Sequence, residues 1–84
     1  MSKKVYVGNL DFGIDDAKLN DLFSKFGNVE EAVVIKDRFS GRSKGFGFVT
    51  FSEDASADQA VSEMNDKEIE SRKIRVNEAK PKEF

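Results

Sequence analysis

Two kinds of spacing alternate along the chain. Val5 and Val7 stand between Lys4, Tyr6 and Gly8, an every-second-residue pattern with β-branched side chains that predicts a strand over 4–8. After a loop over 9–13, Leu19, Leu22, Phe23 and Phe26 fall at i, i+3, i+4 and i+7, the buried stripe of an amphipathic helix. Asp15 is placed to cap that helix with its carboxylate, and Gly27 to stop it. A second strand is predicted over 29–36, where Val33-Val34-Ile35 is apolar on both faces. A polar loop over 37–43, with Gly41 inside it, leads to a third strand over 44–51. Ser52-Glu53-Asp54 supplies the cap and first-turn acids of a second helix, whose stripe is Ala57, Ala60, Val61 and Met64. A short turn excursion over 68–72 carries Ile69. A fourth strand over 73–77 alternates around Ile74 and Val76, and 80–84 is a polar tail with the one proline.

The order β-α-β-β-α-β, with right-handed crossovers, puts both helices on one side of a four-stranded antiparallel sheet. The expected fold is therefore α+β, a ferredoxin-like sandwich. The expected organisation is a single domain over 1–84, with its core at about 4–79. The opposite face of the sheet then has no helix to cover it.

The period of two sorts the third strand into Lys44, Phe46, Phe48 and Thr50 on one face, and Gly45, Gly47, Val49 and Phe51 on the other. Either set could face the helices; Phe46 and Phe48 could be core with the glycines in water. A lysine has no place in a dry core without a partner, which favours the Lys44 set as the open one. The first strand agrees, with Val5 and Val7 inward and Lys4 and Tyr6 outward. So does the second, with Ala32 and Val34 inward and Val33 and Ile35 outward. Glycines on the inner face would let a helix come close to the sheet.

On this assignment Tyr6, Phe46 and Phe48 form an aromatic cluster in water, flanked by Val33 and Ile35. Monomers rarely expose such a patch without a partner for it. Flat rings beside the cations Lys4, Lys44 and Arg75 suit stacked bases running next to phosphates.

Val5-Tyr6-Val7-Gly8-Asn9-Leu10 resembles the hexamer motif of the RNA-recognition-motif family, and Lys44-Gly45-Phe46-Gly47-Phe48-Val49-Thr50-Phe51 matches its octamer at every defined position. The resemblance runs from Lys4 to about Ala79. It includes the basic loop Asp37-Arg38 to Gly41-Arg42-Ser43 and the pattern Ala57, Ala60-Val61, Met64-Asn65. It implies that Tyr6 and Phe48 each stack a base, that Phe46 inserts between riboses, and that Lys44 meets a phosphate. Asn9, Arg38, Arg42, Asn77, Ala79 and Lys80 complete the candidate contacts, Arg38 and Arg42 being equally readable as solvated loop cations. The chain departs from the family at Asp66 and Ser71, where glycine is frequent, and at Phe39, where a polar residue or proline is usual. The short layout looks similar to small stand-alone bacterial members.

The chain has 84 residues, no cysteine and no histidine, and a net charge of −2. Disulfides, thiolate metal sites and Ser-His or Cys-His nucleophiles are excluded. No arginine lies in the first strand-to-helix loop, against an acylphosphatase-like site, and Gly45-Phe46-Gly47 lacks the context of a nucleotide loop. No enzyme activity, cofactor or metal is expected. An acidic sum argues against a nucleic-acid ligand, but the acids are unevenly placed. Glu53, Asp54, Asp58, Glu63, Asp66 and Glu68 stand against Lys67 alone in and after the second helix, so the rest of the chain is net basic. Such asymmetry can draw a polyanion to one face. The expected partners are single-stranded RNA, single-stranded DNA as a further ligand, and a protein on the acidic helical face; the alternative is an RRM-like protein-interaction module. No membrane span is expected, and with no apolar signal core after Met-Ser-Lys-Lys the expected location is cytoplasmic, or nuclear in a eukaryote.

Overall fold

The structure, a computed structural model, describes residues 2–79. The expected tail lies outside them. The strands are β1 (Lys3–Gly8), β2 (Val29–Lys36), β3 (Ser43–Phe51), a short hairpin of β4 (Glu68–Ile69) and β5 (Arg72–Lys73), and β6 (Arg75–Glu78). The helices are α1 (Asp16–Phe23) and α2 (Asp54–Met64). The main sheet has the order β2-β3-β1-β6, every neighbour antiparallel, and the helices lie on one face of it: the ferredoxin-like arrangement.

Asp15 caps α1 as expected. Its backbone is extended, and its Oδ1 accepts from the Lys18 N–H at 2.9 Å. The helix is shorter than its stripe implies: it ends at Phe23, a 3₁₀ turn over Ser24–Phe26 follows, and Gly27 leaves that turn at φ 153°. Phe26 is still buried, because a tightened last turn keeps it on the same side. At α2 the cap position falls on Glu53, whose side chain makes no capping bond. Ser52 instead accepts from Asn28 Nδ2 at 2.7 Å, tying the start of the helix to the end of the 3₁₀ turn region.

Between sheet and helices, Val5, Val7, Val49, Phe51 and Val76 meet Leu19, Phe23, Ala57, Ala60 and Met64. The Phe23 ring sits 6.3 Å from Phe26 and 6.4 Å from Phe51, centroid to centroid. Gly47 makes the close approach possible, since an added Cβ would strike the Val33 carbonyl oxygen and come within 3.2 Å of Leu19 Cδ2. Asp16 Oδ1 also accepts from the Val34 N–H at 2.7 Å, where the β2–β3 register shifts.

The last strand starts later than the alternation predicts. Ile74 is buried, but its N–H donates to the Lys67 carbonyl at 3.0 Å and its own carbonyl accepts from Asp66 N–H at 2.8 Å. With both backbone groups committed to the loop after α2, pairing with β1 begins at Arg75.

Candidate nucleic-acid interface

The register places one residue from each strand in a line across the uncovered face. Val33 of β2 opposes Phe48 of β3, Phe48 opposes Tyr6 of β1, and Tyr6 opposes Asn77 of β6. Phe46 stands beside them, two residues before Phe48. Ring centroids are 5.9 Å apart for Tyr6 and Phe46, 5.9 Å for Tyr6 and Phe48, and 6.3 Å for Phe46 and Phe48, with interplanar angles of 33°, 65° and 90°. All three side chains are half-exposed, whereas Val5, Val7, Val49 and Phe51 are buried beneath the sheet. The face assignment drawn from Lys44 is the observed one.

The Tyr6 ring lies along its own strand over Gly8. A Cβ at Gly8 would fall 2.5 Å from Tyr6 Oη and 2.8 Å from its Cε2. The glycine of the hexamer thus sets where the tyrosine rests. Lys4 Nζ stands 5.5 Å from the Phe48 centroid, a cation over a ring that a base would have to share.

The other candidates fall into three groups. Lys44 is exposed beside the aromatic rings, Val33 and Ile35 are half-exposed on the β2 side, and Asn77 is exposed next to Tyr6. Arg38 and Arg42 are exposed in the loop over 37–42. Asp37 shapes that loop by accepting from the Phe39 N–H at 2.8 Å and the Ser40 N–H at 3.1 Å. Those amide donors, Ser40 first, hold the Asp37 carboxyl below its usual range. The third group is engaged elsewhere. Asn9, in a left-handed conformation at φ 57°, donates to the Lys73 carbonyl at 2.8 Å and so ties β1 to the β4–β5 hairpin. Arg75 is paired with Asp66 at 2.7 Å. Ala79 N–H donates to the Lys4 carbonyl at 3.0 Å. Lys80 lies outside the described residues.

Sequence patterning did not single out Phe12, which is 64% exposed in the loop between β1 and α1 with Arg72 Cζ 5.6 Å from its centroid. An aromatic residue between Asp11 and Gly13, in a stretch with no strand or helix period, was the available signal.

On the helical side Lys3, one residue from Lys4 but on the other face, bridges Asp58 of α2 at 2.7 Å and Glu78 at 3.2 Å. Those partners, Asp58 first, raise its pKa. Among the described residues no three His, Cys, Asp or Glu side chains converge as metal ligands. No helix among them is long and apolar enough to cross a membrane.

A model of the RNA recognition motif matches residues 5–75, which include both the hexamer and octamer strands. The chain belongs to the RNA recognition motif family. It is 53% identical over 79 residues to glycine-rich RNA-binding protein 2, mitochondrial, of Arabidopsis thaliana, covering 94% of this chain and 50% of that one. It is 49% identical over 79 residues to glycine-rich RNA-binding protein 1 of Mycosarcoma maydis, covering 94% and 45%. This RNA recognition motif thus spans half or less of the length of those relatives. Among solved structures, RNA binding protein PG1 superposes with a TM-score of 0.91 at 39% identity, over 98% of this chain and 99% of that one. The Rna15 RRM with bound RNA (GU) superposes with a TM-score of 0.84 at 27% identity, over 96% and 86%.

Proposed function

We propose that this RNA recognition motif binds single-stranded RNA across the open face of its sheet, bases on Tyr6 and Phe48, riboses against Phe46, and phosphates beside Lys4, Lys44 and the Arg38–Arg42 loop. One observation carries this reading: three aromatic rings in mutual contact are half-exposed on a face no helix covers. Each ring offers a face to a base, and one stacked base is worth about 1–3 kcal/mol. The names of the relatives, glycine-rich RNA-binding proteins, and the RNA-bound Rna15 motif support the same ligand. Arg75 contributes only after leaving Asp66, and Asn9 acts by holding the hairpin in place. The role is that of a binding module and not of an enzyme. Single-stranded DNA is a weaker ligand of the same face, and a basic protein segment is the partner that would suit the acidic exposed side of α2. The proposed setting is cytoplasmic, or nuclear in a eukaryote; relatives named for mitochondria and chloroplasts make organellar RNA the competing outcome, and fractionation of the source cells separates the two.

Tyr6 tests the reading directly. It is the one tyrosine in a chain without tryptophan, so intrinsic emission comes essentially from this ring. Titration with short single-stranded RNA should quench it saturably, in step with binding measured independently. Tyr6→Phe should bind almost normally, and Tyr6→Ala should lose about 1–3 kcal/mol. Tight RNA binding with unchanged emission and a neutral Tyr6→Ala would place the RNA elsewhere.

A further inference from the structure

The β2–β3 loop carries an acid where phosphates would be met. Over 36–44 the cations Lys36, Arg38, Arg42 and Lys44 surround a single carboxylate, Asp37. By charge alone Asp37 is a liability to any polyanion that touches this loop. Its hydrogen bonds give it another part. Oδ1 accepts from the Phe39 N–H at 2.8 Å and from the Ser40 N–H at 3.1 Å. The backbone of the same residue donates to the Arg42 carbonyl at 2.7 Å and accepts from the Gly41 N–H at 2.8 Å. Asp37 thus ties itself to Phe39, Ser40, Gly41 and Arg42 at once.

Those bonds decide where the two arginines leave the chain. Lys36 pairs with Ser43 just outside the loop, and Gly41, at φ 74°, turns the chain back. The backbone bond from Asp37 to Arg42 sets Arg42 across from Asp37, so Arg38, the next residue, and Arg42 emerge from one tight loop. Both are exposed, and among the described residues neither is held in a salt bridge. The amides of Ser40 and then Phe39, with the charge of Lys44, hold the Asp37 carboxyl below its usual range, so in neutral solution it stays ionised and accepting.

We infer that Asp37 is a positioning residue for RNA, whose carboxylate keeps the loop over 37–42 folded before the ligand arrives, so that Arg38 and Arg42 meet phosphates without the loop having to be ordered. This role rests on the reading that RNA lies on the sheet face with phosphates beside this loop, and it names the residue that gives the loop its shape. Its consequence runs against simple charge: taking a negative charge out of a basic loop should weaken a polyanion. Magnitudes decide the sign. Two like charges about 8 Å apart in water cost roughly twofold in affinity before salt screens them. Fixing the backbone of even one freed loop residue as the RNA binds costs roughly five- to thirtyfold. Order outweighs repulsion.

The test titrates the full chain with a random-sequence single-stranded heptanucleotide RNA. Asp37→Ala should bind roughly three- to fifteenfold more weakly, the ordering cost less the relieved repulsion. Asp37→Asn keeps the Oδ1 acceptor without the charge, and should bind as tightly as the unaltered chain or up to about twofold more tightly. In a chain already carrying Arg38→Gln and Arg42→Gln, Asp37→Ala should cost nothing further, an outcome that a merely structural role would not produce. Affinity unchanged or raised by Asp37→Ala, an Asp37→Asn as weak as Asp37→Ala, or an undiminished loss without the arginines would each overturn the positioning role. Phe48→Ala and the paired arginine replacements are the references. If both leave affinity unchanged, the reading of the sheet face and loop as the RNA site fails as a whole; if both weaken binding while Asp37→Ala is neutral, only the role of Asp37 falls.

Discussion

Tyr6 and Phe48 oppose each other in register on β1 and β3, with ring centroids 5.9 Å apart and planes inclined at 65°. Rings set nearly edge to face cannot carry two bases that remain stacked on one another. On the proposed reading a base lying flat on each would have to turn away from its neighbour, and the bound strand would be splayed. That geometry favours a single strand over a duplex, whose bases are committed to their own stack.

Two phenylalanines on one strand should therefore separate binding from stability. Phe48→Ala is expected to lower RNA affinity by about 1–3 kcal/mol with little change in the thermal melt. Phe51 is fully buried against Phe23, and Phe51→Ala should destabilise the fold by about 3–5 kcal/mol through the cavity it leaves. The opposite ranking in paired melts and titrations would refute the division of β3 into a binding face and a core face.

Gly8→Ala should act on Tyr6 and not on the strand. The new methyl group would lie 2.5 Å from Tyr6 Oη, so the ring must swing off its resting place while the β1 backbone tolerates alanine. The expected result is a shift in the emission of the free protein and a loss of RNA affinity of up to about 1–3 kcal/mol, with Tm nearly unchanged. Emission and affinity both equal to those of the unaltered chain would show that Tyr6 is not held by Gly8.

The β4–β5 hairpin turns on Glu70 and Ser71, both left-handed at φ 54° and 67°. Two-residue turns of this kind favour glycine at the second position, because a side chain there crowds the backbone. Ser71→Gly should raise stability by about 1 kcal/mol, or roughly 4–8 °C in Tm for a domain of this size, without touching the platform. A lower Tm in calorimetry would contradict the turn assignment.

Salt dependence should report how few cations reach the ligand. With three or four phosphate contacts, log K against log salt should fall with a slope of roughly −2 to −3. Asp66→Asn removes the 2.7 Å partner of Arg75 at a left-handed position that asparagine tolerates. If Arg75 then reaches a phosphate, the slope should steepen by roughly 0.7. An unchanged slope would place Arg75 off the RNA path.

Much of this molecule was decided by spacing along the chain. The alternation at Val5 and Val7 and across Lys44–Phe51, with the three-four repeat from Leu19 to Phe26 and from Ala57 to Met64, determined the element order and the inward side of each element. That was enough to place Tyr6, Phe46 and Phe48 together on the open face, because a strand puts alternate residues on opposite sides and a lysine will not enter a dry core. Periodicity reports only how a residue is turned on its own element. It could not separate an α-helix ending at Phe23 from one reaching Phe26, since both bury the same ring. Nor could it say that Ile74 would give its backbone bonds to Asp66 and Lys67, or that Arg75 would close on Asp66. Phe12 shows the limit most clearly. Its loop has no period, and the groups that hold its ring, Arg72 from a distant hairpin and the bare Gly45 backbone from β3, come to it only when the sheet is assembled.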